Sequence, residues 1–66
     1  MFVEERREQI LKWILEESSI TLEELKKRLK ISMMSIYRDL HALEKQHKIL
    51  RVRGGAIKDR YNSIPF

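Results

Sequence analysis

Cysteine is absent from the 66 residues, proline occurs once and glycine twice. Without cysteine there is neither a disulfide nor a thiolate metal site, so the core has to come from apolar packing alone; the absence also suits a reducing cytoplasm. No apolar run approaches the ~18 residues that span a bilayer, and Met-Phe-Val followed by two glutamates is unlike a signal peptide. A soluble, cytoplasmic protein with no membrane partner is the expectation. The signs of catalysis are missing too: no carboxylate pair in a plausible pocket, no glycine loop to cradle phosphate, and too little volume for a cleft. His41 and His47 lie six apart and so do not share a helix face, which argues against a metal site. The chain is expected to be no enzyme and to need no cofactor or metal. A single domain this short buries only roughly 60% of its unfolded surface, so marginal stability is expected.

What is abundant is charge, and it is unevenly placed. The net charge is +4, yet residues 1–30 carry seven Lys/Arg against seven Asp/Glu. All of the excess lies in residues 31–66, where seven Lys/Arg face only Asp39, Glu44 and Asp59. A partner responds to where charge sits, and the basic half is where a polyanion would dock.

Periodicity then supplies the elements. Ile10, Leu11, Trp13, Ile14 and Leu15 recur at helical spacing after an acidic first turn, which predicts a helix over residues 4–17 with Trp13 at least half-buried. Ser18, Ser19 and Ile20 break that pattern. Thr21 and Glu24 then form a T-x-x-E capping box, starting a short second helix at about Leu22 with Leu22, Leu25 and Leu29 on one face. Ser32 is a good N-cap for a third helix running to about Gln46, in which Ile36, Leu40 and Leu43 mark the buried stripe. Met34, Arg38, His41 and Lys45 point directly away from that stripe, with Met33, Ser35 and Tyr37 flanking. Beyond His47 and Lys48, the run Ile49 to Arg53 is β-branched and basic. Gly54-Gly55 can supply positive φ for a tight turn, and Ala56 to Lys58 can return as a hairpin. Because a hairpin alone is barely stable, it needs the helices, and Ile20 can add a short third strand. Residues 1–58 are read as the domain and 59–66 as a linker or tail.

The fold expected is mostly α with a minor β part: a winged helix-turn-helix of three helices and a short C-terminal β-hairpin wing. Two short helices joined by about three residues fit a helix-turn-helix whose second helix enters the major groove of double-stranded DNA. The free amides at its start and the Ser32 hydroxyl can hold a phosphate, and Arg38 is long enough to reach guanine N7 and O6. Met34, Ser35, Tyr37 and His41 complete the candidate reading face. Arg51 and Arg53, beside Gly54 and Gly55, form a wing able to approach a phosphate or enter the minor groove.

The helix-helix-helix-hairpin order, combined with particular residues, resembles the N-terminal DNA-binding domain of DeoR-type bacterial transcriptional repressors. The matching stretches are Glu5-Arg6-Arg7 with Ile10-Leu11, Ile20-Thr21 with Glu23-Glu24-Leu25, and Ile31-Ser32 with Ser35-Ile36. They continue through Arg38-Asp39-Leu40, Leu43-Glu44, Arg51-Val52 and Gly54-Gly55-Ala56. The resemblance implies Ser35, Tyr37 and Arg38 as recognition positions and Arg51 to Gly55 as the wing. It departs at Tyr37, where Arg or Lys is usual, at Ser35 for Thr, at Arg53 for His, and at His47, where a helix-ending Gly is usual and left-handed geometry is expected. It further implies a nucleoid-associated repressor of sugar or metabolite catabolism. Such a protein continues into a metabolite-sensing C-terminal domain, through which it forms homo-oligomers, and this chain would be an excised head of it.

Bland roles compete at several positions. Asp39, beside the buried stripe amid cations, is expected to pair with an arginine or a free amide and orient the third helix, since a carboxylate facing phosphate would repel it. Tyr37 either packs on the second helix or offers its hydroxyl to a phosphate, and Met33 is core filler or a base contact. Lys26, Lys27, Arg28 and Lys30 form a solvated face or clamp the DNA backbone. A winged helix can also serve as a protein-interaction module. Such a module would carry more exposed aromatics and less charge on its third helix than Arg38, Lys45 and the nearby Arg51 and Arg53 supply. Double-stranded RNA fits less well, because its narrow major groove does not admit a helix.

Overall fold

The computed structural model describes residues 2–59. Six elements follow in order: α1 (Val3–Glu17), β1 (Ser19–Thr21), α2 (Leu22–Leu29), α3 (Met33–Lys45), β2 (Ile49–Val52) and β3 (Gly55–Lys58). The three helices, the hairpin and the short third strand agree with the expected winged helix-turn-helix. The buried Asp59 packs with the domain, while the rest of the expected linker, 60–66, lies outside the described residues.

The helix boundaries follow from local chemistry. At α2, the Thr21 hydroxyl oxygen accepts from the Glu24 amide at 3.1 Å, and at α3 the Ser32 hydroxyl oxygen accepts from the Ser35 amide at 3.2 Å. Each satisfies one of the amides that a helix start leaves open. Ser18 and Lys30, the residues that follow α1 and α2, take left-handed backbone, with φ of 71° and 54°. At the end of α3, His47 adopts φ 58°, donates its amide to the Glu44 carbonyl, and is followed by Lys48 donating to Leu43. These two bonds are the Schellman pattern, which satisfies carbonyls that the helix end leaves open. The left-handed geometry expected at His47 is thus present.

The core draws on every element: Ile10 and Ile14 from α1, Ile20, Leu25, the stripe Ile36, Leu40 and Leu43, then Ile49 and Ala56. Burying one such aliphatic side chain contributes about 1.5–3 kcal/mol. Trp13, Leu22, Leu29 and Met33 pack partly against this core, which gives Met33 the filler role. Leu15, by contrast, is exposed: it lies on the outward side of α1 although its hydropathy matched the run.

β3 is central in the antiparallel sheet, whose order is β1-β3-β2. Ile20 faces Ala56 and Thr21 faces Gly55 on one side, and Arg51 faces Ala56 and Val52 faces Gly55 on the other. This register shifts the turn by one residue from the Gly-Gly expectation. The loop is Arg53-Gly54, with φ +80° at Gly54 alone, and Gly55 is already strand. Arg53 consequently belongs to the turn rather than to β2. Gly55 is required for a different reason: a Cβ there would stand 2.3 Å from the Ile20 carbonyl oxygen. The turn is also fastened to α2, because the Leu22 amide donates to the Gly54 carbonyl at 2.9 Å.

Candidate nucleic-acid interface

The candidate interface is built on α3. Its buried stripe fixes which way the rest of the helix points, and Met34, Arg38, His41 and Lys45 are all exposed on the opposite face. Met34 retains 63% of its surface, large for an apolar side chain on a small domain. The hydroxyls of Ser32 and Ser35 lie 3.1 Å apart, so the Ser32 oxygen is engaged by the cap and by Ser35 before any ligand arrives. With Ser35 capped and the Ile36 amide bonded to the Ser32 carbonyl, the amides of Met33 and Met34 have no partner among the described residues. They remain available to an anion.

Two flanks hold this helix. Asp39, fully buried, accepts from Arg6 Nε and Arg6 Nη2 and, at 3.0 Å, from Arg7 Nε. The expected pairing of Asp39 with an arginine is therefore made, and twice over, from α1. The hydrogen bond to Asp39 raises the Arg6 guanidinium above its ordinary pKa, with burial opposing it. On the other flank, the Arg51 guanidinium of β2 lies 5.3 Å from the centre of the Tyr37 ring, a cation-π distance. Tyr37 thus has a wing arginine as its ring partner, which neither sequence alternative named.

Arg28 is engaged elsewhere, by acidic residues of α1 and α2. It makes a two-pronged pair with Glu17 at 2.7 and 3.0 Å, donates to Glu24 at 3.1 Å, and lies over the Trp13 ring at 5.0 Å. These acidic partners raise its pKa and hold the Glu17 carboxyl below its ordinary value. Of the basic run, Lys26, Lys27 and Lys30 are the exposed members without an ion pair.

In the wing, Arg51, Arg53 and Gly54 are exposed whereas Gly55 is buried. The missing side chain of Gly55 is accounted for by the approach of β1, so among the wing candidates it is the one set back from solvent. Sequence reasoning overlooked Arg6 and Arg7 as the groups that hold α3; the signal was present only as two cations on a helix of net negative charge. Among the described residues, no group of three or more His, Asp or Glu can hold a metal ion, and no helix is long and apolar enough to cross a membrane.

The DeoR-like helix-turn-helix domain model matches residues 6–61, from the second turn of α1 past the end of the wing. The chain belongs to that family. Curated relatives include the HTH-type transcriptional repressor CutR of Bacillus subtilis, 34% identical over 76% of this chain and 26% of its own length. The HTH-type transcriptional repressor GlcR of the same organism is 42% identical over 86% of this chain and 22% of its own length. An uncharacterized HTH-type transcriptional regulator of Escherichia coli, YgbI, is 41% identical over 77% and 20% respectively. The chain thus spans about a quarter or less of each of these relatives. No solved structure matches it. As a DeoR-like domain it is a DNA-binding helix-turn-helix of the kind that transcriptional repressors carry.

Proposed function

We propose that this DeoR-like domain is the sequence-reading head of a transcriptional repressor, with α3 in the major groove and the wing on the flanking backbone. One observation supports it most: the solvent face of α3 carries Met34, Arg38, His41 and Lys45 and no carboxylate, while Asp39 is buried and neutralised by two arginines. In this reading Arg38 contacts guanine and Met34 and Ser35 meet base edges. Tyr37 and His41 border the groove, the α3 start with Ser32 meets a phosphate, and Arg51, Arg53 and Gly54 track the backbone. The one exposed aromatic of α3, Tyr37, is engaged by Arg51, which favours this reading over a protein-docking face. Residues 59–66 lead toward an effector domain that supplies oligomerisation and senses a metabolite, in a cytoplasmic, nucleoid-associated regulator of sugar or metabolite catabolism.

The test is selection of bound duplexes from a random pool, repeated at two salt concentrations. With four to six phosphate contacts, the log-log salt slope is expected at about −4 to −5, from roughly −0.9 per contact. Arg38→Ala should weaken the selected duplex by about 1–3 kcal/mol and relax its sequence preference. Unchanged affinity and unchanged preference in that variant would sink the assignment of the reading face.

A further inference from the structure

The described arginines fall into two groups by what their donors do. Arg6 and Arg7 spend theirs on the Asp39 carboxylate, and Arg28 spends its own on Glu17 and Glu24. Arg38, Arg51 and Arg53 make no ion pair among the described residues. Within this second group, Arg51 is held in place by an aromatic ring, at 5.3 Å from the centre of Tyr37. The contrast with Arg28 is direct. Both guanidiniums lie over a ring, a contact that can leave N–H donors free for an oxygen partner; at Arg28 carboxylates take those donors, whereas at Arg51 no carboxylate among the described residues does.

The position of the pair follows from the register. Arg51 stands opposite Ala56 on β2 and so shares the sheet face of the core residues Ile49 and Ala56, which directs its stem toward α3. Tyr37 precedes Arg38 directly and lies one turn before His41. Tyr37 and Asp39, two apart, are separated by roughly 200° around the axis, so Arg51 approaches α3 from the side opposite the Arg6-Arg7 clamp. A guanidinium placed there, beside the reading face and with no carboxylate partner among the described residues, suits a phosphate oxygen pair at the lip of the major groove.

We propose, on the DNA-reading assignment above, that Tyr37 is a positioning residue: its ring presents Arg51 to a backbone phosphate adjoining the bases that Arg38 meets. Tyr37 and Arg51 then form one phosphate-binding unit, and Arg51 works from the flank of α3 rather than as a wing cation entering the minor groove. The ring carries this role and the hydroxyl does not.

The experiment measures binding of a duplex recovered by selection, by fluorescence anisotropy across a salt series. The proteins are the wild type, Arg38→Ala, Arg51→Ala, Tyr37→Phe, Tyr37→Ala, Tyr37→Leu and the Tyr37→Ala/Arg51→Ala double variant. Arg51→Ala should flatten the log-log slope by about 0.9, the share of one phosphate. Tyr37→Ala should weaken binding about three- to tenfold and flatten the slope in the same sense, as loss of a cation-π support allows. Added to Arg51→Ala, it should cost less than about twofold, because the unit is already broken. Tyr37→Leu, which keeps apolar bulk at this half-exposed site, should follow Tyr37→Ala, and Tyr37→Phe should match the wild type in affinity and slope. Additive losses, or a Tyr37→Leu slope equal to the wild type, would overturn the proposal. If Arg38→Ala also binds like the wild type, the reading face itself is misplaced; if Arg38→Ala weakens binding as expected, only the Tyr37-Arg51 unit fails.

Discussion

Replacing Asp39 by asparagine tests whether the clamp on α3 contributes as its geometry implies. The side chain is fully buried and accepts three hydrogen bonds, two from Arg6 and one from Arg7. Asparagine keeps the volume, removes the charge and turns an NH2 group toward one of two guanidiniums. Breaking a buried ion pair by removing one partner typically costs about 3–5 kcal/mol. Here Arg6 and Arg7 retain 16% and 33% of their side-chain exposure, so the orphaned cations can turn toward water. The cost then falls to about 2–3 kcal/mol. A domain of this size has only about 3–10 kcal/mol in total, and each kcal/mol moves its midpoint by about 4–8 °C. Thermal unfolding followed by circular dichroism should therefore show Tm lowered by roughly 10–20 °C. Arg6→Gln should destabilise more than Arg7→Gln, since it removes two bonds rather than one. A Tm within about 3 °C of the wild type for Asp39→Asn would refute the reasoning, because that is the size of an exposed pair.

Two further perturbations separate effects that the sequence merges. Gly55→Ala drives a Cβ to 2.3 Å from the Ile20 carbonyl oxygen and should cost about 3 kcal/mol or more by forcing β1 off β3. Gly54→Ala meets no atom within 4 Å and carries only the strain of φ +80°, about 1 kcal/mol; urea unfolding of the two variants checks the order, and equal losses would contradict it. The Glu17 carboxyl is held below its usual 4.5 by Arg28, so its contribution is present above that value and is lost as pH falls through the folded-state pKa. Between pH 6 and pH 3 the wild type should lose more stability than Glu17→Gln, and parallel losses in acid titrations of Tm would argue against the pair.

Much of this architecture is written in local patterns. Thr21 and Ser32 announce the starts of α2 and α3 because a cap is a contact between residues three apart, and the stripe of Ile36, Leu40 and Leu43 shows its period within a few turns. Asp39 was legible as a carboxylate in want of a cation, since its angular position beside the stripe and the charge around it both pointed inward. Which cation was not legible: Arg6 and Arg7 lie 33 and 32 residues away, and no periodicity links them. Arg28 reads in sequence as one of a run that is either a solvated face or a clamp on DNA, because its partner Glu17, 11 residues off, meets it only once α1 and α2 have packed. The one-residue slip at the wing has the same origin. Gly54 and Gly55 look alike in sequence, and only the arrival of β1 distinguishes the residue that needs a positive φ from the one that needs an absent Cβ. The reading face was inferred from helical geometry alone, whereas the Tyr37-Arg51 contact depends on strand register and could not be.

The strand order carries a consequence for synthesis. β3 is the last of the described strands and the middle one in their sheet, so β1 and β2 have no shared partner to join until residues 55–58 exist. On the ribosome, where the N-terminal part emerges first, the helices can gather early while both outer strands wait. The seam with β1, the seam with β2 and the tie from Leu22 to Gly54 all wait on that single late segment. Both seams of the sheet thus hang on the same four residues, and a chain that has not yet reached them has no wing.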